Sequence, residues 1–243
     1  TNDLFQMYYI FEMGSNHDKE LAFAIEYLPF LGTSEYSAEA LSKEFFKLGV
    51  SFDVHVSNDR IYVTLDGLEE SFSEGTRLFE HLLANAVPDE QALKELINNT
   101  LKAREDDKKN KGIIHRRAMM NYAKYGSDNP LNNVLNEEEL RELDAEKLAE
   151  RIRGLNDYKH LVFYYGSLKP EEAKTVIAKF YRTTGKFKNY PTENEYKQLD
   201  MKDNRVYFVD YDMVQTELLM ISKSQQFNPE VLAYGSIFNE YFG

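Results

Sequence analysis

The chain has 243 residues, 42% of them hydrophobic, which is enough for a sizeable core in one or two domains. Its 29 Lys and Arg against 41 Asp and Glu leave a formal charge of −12, which argues against a nucleic-acid backbone as partner, since such partners need clustered cations. Cysteine is absent, so disulfides, thiolate zinc sites and cysteine nucleophiles are excluded.

Residues 4–13 alternate and are rich in Tyr, Phe, Ile and Met, which predicts a strand. Gly14-Ser15-Asn16 turns the chain, and a helix follows from Asp18 to Leu28. Ser37 is a cap for a second helix, with Leu41, Phe45 and Leu48 on one face and Gly49 just past its end. Val50, Phe52, Val54 and Val56 then alternate with polar residues, Asn58-Asp59 make a turn, and Ile61, Val63 and Leu65 alternate on the way back. This is the clearest hairpin in the sequence.

Residues 69–154 read as helical. Phe72, Phe79, Leu82, Leu83 and Ala86 form one stripe, and Pro88 is placed in the first turn of the next helix. Leu93, Leu96, Thr100 and Leu101 carry that helix into the charged run 104–109, read as a solvated helix end. Asn136 with Glu139 forms a capping-box pattern, and Asp144 caps a helix that Gly154 closes. His160 to Tyr165 is strand-like, and Pro170 opens a helix with Ala173, Val176, Ile177 and Phe180 on its face.

Residues 182–204, charged and containing Gly185 and Pro191, read as a linker. Val206 to Ser222 is strand-like and Asn228 to Phe242 helical. Strand, polar turn (Gln225 to Pro229), helix and closing Gly243 repeat the layout of Tyr8 to Gly32, and a repeat of this length indicates duplicated domains. The expected organisation is a complete domain over 1–181, a linker over 182–204, and the first strand and helix of a second, truncated copy over 205–243. The chain starts at Thr1 and reads as a processed or excised piece, with the compartment open between cytoplasm and periplasm. No apolar run approaches the ~20 residues that span a bilayer.

One stretch carries a chemical signature: Phe23-Ala24-Ile25-Glu26-Tyr27-Leu28-Pro29-Phe30-Leu31-Gly32-Thr33. Inverted zincins place His-x-x-Glu-His on a helix, with the histidines as zinc ligands and the glutamate as general base. In the pitrilysin, insulin-degrading and mitochondrial-processing peptidase family, that motif runs into a Phe-x-Gly-Thr tail. Here the tail (Phe30, Gly32, Thr33) and the glutamate (Glu26) are present, but the ligand positions are Phe23 and Tyr27. A benzyl ring cannot bind Zn2+, and a phenol is a poor substitute for a neutral imidazole. The same residues also read as a plain helical core stripe of Ala22, Phe23, Ile25, Leu28 and Leu31.

The chain resembles a non-catalytic half of that family over nearly its whole length. The resemblance implies repeated α/β domains, two halves enclosing a peptide chamber, and zinc held in the catalytic half rather than here. It also implies a third ligand, a glutamate, on a later helix. The best-fitting positions hold Asn99, Thr100, Leu101 and Lys102, with Glu95 and Glu105 nearby. No residue here is expected to be catalytic or to bind metal or cofactor; Phe23, Glu26 and Tyr27 mark the degenerate site. Expected partners are a peptide or protein substrate and a catalytic half or subunit. The alternative is a structural or assembly subunit of the same fold with no part in proteolysis.

The five histidines, His17, His55, His81, His115 and His160, lack helical or hairpin metal-ligand spacing. No Gly-x-Gly phosphate loop and no Gly-x-Ser-x-Gly elbow is present. The expected fold class is α+β: a two-layer domain with a mixed, largely antiparallel sheet and helices on one face. The opposite, partly polar face, with Ser51, Asp53, His55 and Ser57, is the expected chamber wall. The tail must expose Leu219, Ile221 and Phe238, or bury them against a second copy or the first domain.

Overall fold

The structure, a computed structural model, describes residues 3–183, 185–200, 202–212, 214–223 and 228–242. Strand β1 (Leu4–Phe11) leads through helix α1 (Lys19–Tyr27) and short strand β2 (Gly32–Thr33) to α2 (Ala38–Lys47). The hairpin β3 (Val50–Val56) and β4 (Ile61–Leu68) follows, then α3 (Phe72–Asn85), β5 (Ala86–Val87) and α4 (Glu90–Asp107). A one-turn helix α5 (Lys111–Ile113), a π-helical stretch (Ile114–Met119) and α6 (Met120–Tyr125) run on continuously. The domain closes with α7 (Glu137–Arg141), α8 (Ala145–Arg153), β6 (Leu161–Tyr165) and α9 (Pro170–Phe180).

The main sheet has the order β3-β4-β1-β6, and β2 pairs with β5 in a second, small sheet. Every pairing in the main sheet is antiparallel, so the expected largely antiparallel sheet forms here without a parallel pair. The physical reason is the hairpin. It inserts β4 between β3 and β1, and β6 returns on the far side of β1 in the opposite direction.

Alternation decides the layers. Phe5, Met7, Tyr9 and Phe11 of β1 and Ile61, Val63 and Leu65 of β4 are buried on the helical side. There they meet an aromatic core: Phe5 lies edge-on to Phe72 at 4.8 Å, Tyr9 sits 5.6 Å from Phe79, and Phe52 bridges Phe45 and Phe79. Each such pair adds roughly 0.5–1.5 kcal/mol beyond the area it buries. Helix ends follow the sequence signals: Ser37 accepts from the Ala40 amide, Asn136 and Glu139 complete a capping box, and Asp144 accepts from the Lys147 amide. Gly49 takes φ +61 after α2, a conformation glycine adopts without a Cβ penalty. Pro88 is not in the first turn; Asp89 caps α4 instead, its carboxylate accepting from the Ala92 amide.

The other sheet face is open. Its rows across β3, β4, β1 and β6 read Ser51–Asp66–Gln6–Tyr165, Asp53–Thr64–Tyr8–Phe163 and His55–Tyr62–Ile10–Leu161. Polar residues gather at the β3 edge and apolar ones at the β6 edge, where Leu161, Phe163 and Tyr165 are all exposed. Ser57 does not belong to this face; its hydroxyl sits in the hairpin turn, bonded to Asp59 and to the Arg60 carbonyl.

The tail differs most from expectation. Among the described residues of 206–223 no strand forms. A strand needs a neighbour to take its amides and carbonyls, and here none lies alongside. The segment runs instead along the 109–125 helices: Tyr211 donates to the Lys109 carbonyl (2.6 Å), Glu217 pairs with Lys111 (3.0 Å), and Tyr207 stacks edge-on to Tyr122. Val206 and Met220 are 91% and 87% exposed, so the apolar side chains stay uncovered. The expected helix does form, as α10 (Leu232–Phe242), with Leu232, Ile237, Phe238 and Phe242 exposed. Of the expected turn, Gln225, Gln226 and Phe227 lie outside the described residues, as does Gly243.

Candidate functional site

The degenerate motif lies on α1, whose N-terminus is fixed by Asp18 accepting from the Leu21 amide at 2.9 Å. Phe23 is 5% exposed and joins the core. Tyr27 is fully buried, and its hydroxyl donates to the Asp89 carbonyl (2.6 Å) while accepting from the Asp89 amide (2.8 Å). One phenol thereby satisfies the Asp89 amide and adds a second donor to the Asp89 carbonyl, which also accepts from the Leu93 amide at 2.9 Å. Tyr27 is thus a pin between α1 and the start of α4.

Glu26 alone of the three points to solvent. Surrounding protein nevertheless strips enough water from its carboxyl to raise the pKa, and the positive charge of Arg104 works against that rise. Arg104, on the last turns of α4, donates to the Leu135 carbonyl at 2.6 Å. The α4 residue that acts on Glu26 is therefore a fixed cation. It lies beyond positions 99–102, where the third ligand was sought. Glu95 is held by Gln91 and Glu105 by Lys108, each within its own helix. Arg104 was missed because it heads a charged run. The signal was present: Leu93, Ile97, Leu101 and Arg104 follow one helical stripe, and its first two members are buried.

The tail of the motif does structural work. A Cβ on Gly32 would stand 2.4 Å from the Tyr36 carbonyl oxygen and 2.9 Å from the Ala38 nitrogen, so no side chain fits there. The Thr33 hydroxyl accepts from the Glu35 and Tyr36 amides (both 3.2 Å), and His81 bonds it from α3 at 3.2 Å. Phe30 is half exposed.

A second polar group is buried in the core. Glu80, 2% exposed, accepts from the Tyr9 hydroxyl (2.5 Å), the Asn156 amide nitrogen (3.3 Å) and the Arg182 backbone amide (3.4 Å). Burial pushes its carboxyl up to about 7, and those three donors only partly offset the effect. The Tyr9 phenol is raised too, by its own burial first and then by the Glu80 charge. Glu80 lies on the Phe72, Thr76, Phe79 and Leu83 side of α3. His81 is partly exposed, as expected, and His55 stands on the open face 6.1 Å from the Tyr62 ring. His160 lies against Phe11 and Tyr9, and its burial lowers its pKa. Among the described residues no three His, Asp or Glu side chains converge as a metal-binding group.

The class of molecule defined here is a two-layer α+β domain with an antiparallel sheet and helices on one face. No family model matches the sequence, and no curated protein matches it. Solved structures do. A peptidase M16 inactive domain from Pseudomonas fluorescens superposes with a TM-score of 0.64 at 18% identity, covering 80% of this chain and 50% of that one. The periplasmic protease PqqL from Escherichia coli gives 0.63 at 13% identity, over 82% of this chain and 22% of its own. A protease from Helicobacter pylori gives 0.60 at 14% identity, over 82% and 50%. At such identities the likeness is one of fold, and the fold is the pitrilysin-like one of the M16 peptidases. This chain spans half the length of the Pseudomonas and Helicobacter chains and 22% of PqqL. Among the described residues no helix is long and apolar enough to cross a membrane.

Proposed function

We propose that the chain is part of a non-catalytic half of an M16-type zinc metallopeptidase, lining a peptide chamber while another half holds zinc and cleaves. One observation carries this reading: the motif keeps what the fold requires and lacks what the chemistry requires. Gly32 and Thr33 hold a turn that tolerates no substitute backbone, whereas Phe23 is absorbed in the core and Tyr27 pins a helix cap. Zinc chemistry needs three protein ligands and an open position for water. Here the two helix positions hold side chains with no free donor nitrogen, and Arg104 puts a cation beside Glu26.

On this reading residues 1–181 form one domain, 182–204 link it to the next, and 205–243 begin a second. A match to only half of two similar chains supports that division. The open sheet face supplies the chamber wall, polar toward β3 and aromatic toward β6, which suits an extended peptide with mixed side chains. A photo-crosslinking residue at position 55 or 163 is expected to capture a peptide substrate when the chain is joined to a catalytic half. The same residue at position 43, on the helical side, is expected to capture none. The reverse pattern contradicts the chamber-wall role.

A further inference from the structure

The buried carboxyl of Glu80 belongs neither to the degenerate motif nor to the open sheet face, and it sits where the chain leaves the domain. It is the contact point of four elements: α3 carries it, β1 supplies Tyr9, the turn before β6 supplies Asn156, and the end of α9 supplies the Arg182 amide. The segment that starts there is fastened further on by the Lys188 amide to the Asp157 carbonyl at 2.7 Å and by Tyr190 to the Lys159 carbonyl. Arg182 is thus the first tie of the 182–200 segment to the domain, and its acceptor is an ionisable group.

Two independent features mark this tie as one that a proton can operate. The Oε2 atom of Glu80 accepts both the Asn156 and the Arg182 bonds, at the long distances of 3.3 and 3.4 Å, while Oε1 takes the short Tyr9 bond. The Asn156 carboxamide oxygen is buried without a hydrogen-bond partner. A proton on Oε2 finds an acceptor waiting once the Asn156 amide turns over, and the neutral oxygen that remains is a weaker acceptor for the Arg182 amide. We propose that Glu80 is a proton-operated fastener: ionised, it holds the Arg182 amide and the base of the 182–200 segment; protonated, it bonds Asn156 and lets that base loosen. The high carboxyl pKa places the exchange near neutral pH.

The charged and titratable groups facing Glu80 act on it from every side. Tyr9 faces it from β1, Arg77 and His81 from its own helix, and Tyr181 and Arg182 from the end of α9. His160 lies behind Tyr9 and bonds Tyr181 at 3.4 Å. Asp157 adds its negative charge to Tyr181. Arg182 favours the ionised form, and the Tyr9 phenol takes part as a donor. His160, with its pKa lowered by burial, charges only at more acidic pH than the Glu80 exchange.

Amide hydrogen exchange at Arg182 tests the proposal, corrected for the intrinsic pH dependence of exchange. Wild-type protection is expected to be about tenfold higher at pH 8.5 than at pH 5.5, the difference between a bond to a charged acceptor and one to a neutral acceptor. Glu80→Gln, which mimics the protonated side chain, is expected to show the low-pH protection at both values. Equal protection in the wild type, or a pH response that survives in Glu80→Gln, overturns the proposal. Should that variant fail to fold, the carboxyl carbon of Glu80 is titrated by NMR in the wild type. Its midpoint must coincide with that of Arg182 protection, and separate midpoints overturn the proposal equally.

Discussion

Tyr27→Phe is expected to destabilise the domain by about 2–3 kcal/mol, a large effect for the loss of one oxygen atom. The phenol hydroxyl serves the Asp89 amide and the Asp89 carbonyl together, and Tyr27 itself is fully buried. Removing the oxygen leaves the Asp89 amide without its partner at the cap of α4, while the Asp89 carbonyl keeps only the Leu93 amide at 2.9 Å. The ring remains, so the loss is one of hydrogen bonding rather than of packing. Tyr27→Ala adds a cavity and is expected to cost about 3–5 kcal/mol in all. Denaturant unfolding of the two variants measures both. A Tyr27→Phe variant as stable as the parent contradicts the view that this position has become structural.

The second large effect is a pH dependence. Glu80 has its carboxyl raised from 4.5 to about 7 in the folded chain. A folded-state pKa above the unfolded one means that the native state holds the proton more tightly. The stabilisation is fully present below pH 4.5 and is lost as pH rises through about 7. At about 1.4 kcal/mol per pKa unit, the loss across that window is about 3 kcal/mol. Glu80→Gln keeps the shape and carries no charge at any pH. The stability difference between parent and variant is therefore expected to be flat below pH 4.5 and to shift in favour of glutamine up to about pH 7. Glu105 and Glu139, exposed carboxylates with lowered pKa, act in the opposite sense at more acidic pH and cancel in that difference. A difference independent of pH contradicts the burial of an ionisable Glu80.

Most of the scaffold was legible in the sequence because its signals are local. The Val50–Leu68 hairpin alternates with period two, and Ser37, Asn136 and Asp144 cap the helices that they were expected to cap. What escaped was set by contacts between distant segments. Tyr27 meets Asp89 across 62 positions and Tyr9 meets Glu80 across 71, and neither partner has a marker in its own neighbourhood. The π-helical turn at Ile114–Met119 differs from an α-helix only in hydrogen-bond register, which composition does not encode. The expected strand within 206–222 has the right residue types but no neighbouring strand, and β-propensity expresses fit to a sheet rather than a backbone preference.

A non-catalytic role requires that the α1 helix, with Phe23 and Tyr27 in place of histidines, hold no zinc. Elemental analysis of the purified chain, dialysed against trace zinc at neutral pH, measures this directly. The expected result is far less than one zinc per chain, unchanged by Glu26→Ala. One tightly held zinc per chain, lost in Glu26→Ala, would show that the α1 site binds metal in spite of Phe23 and Tyr27, and would contradict a non-catalytic role.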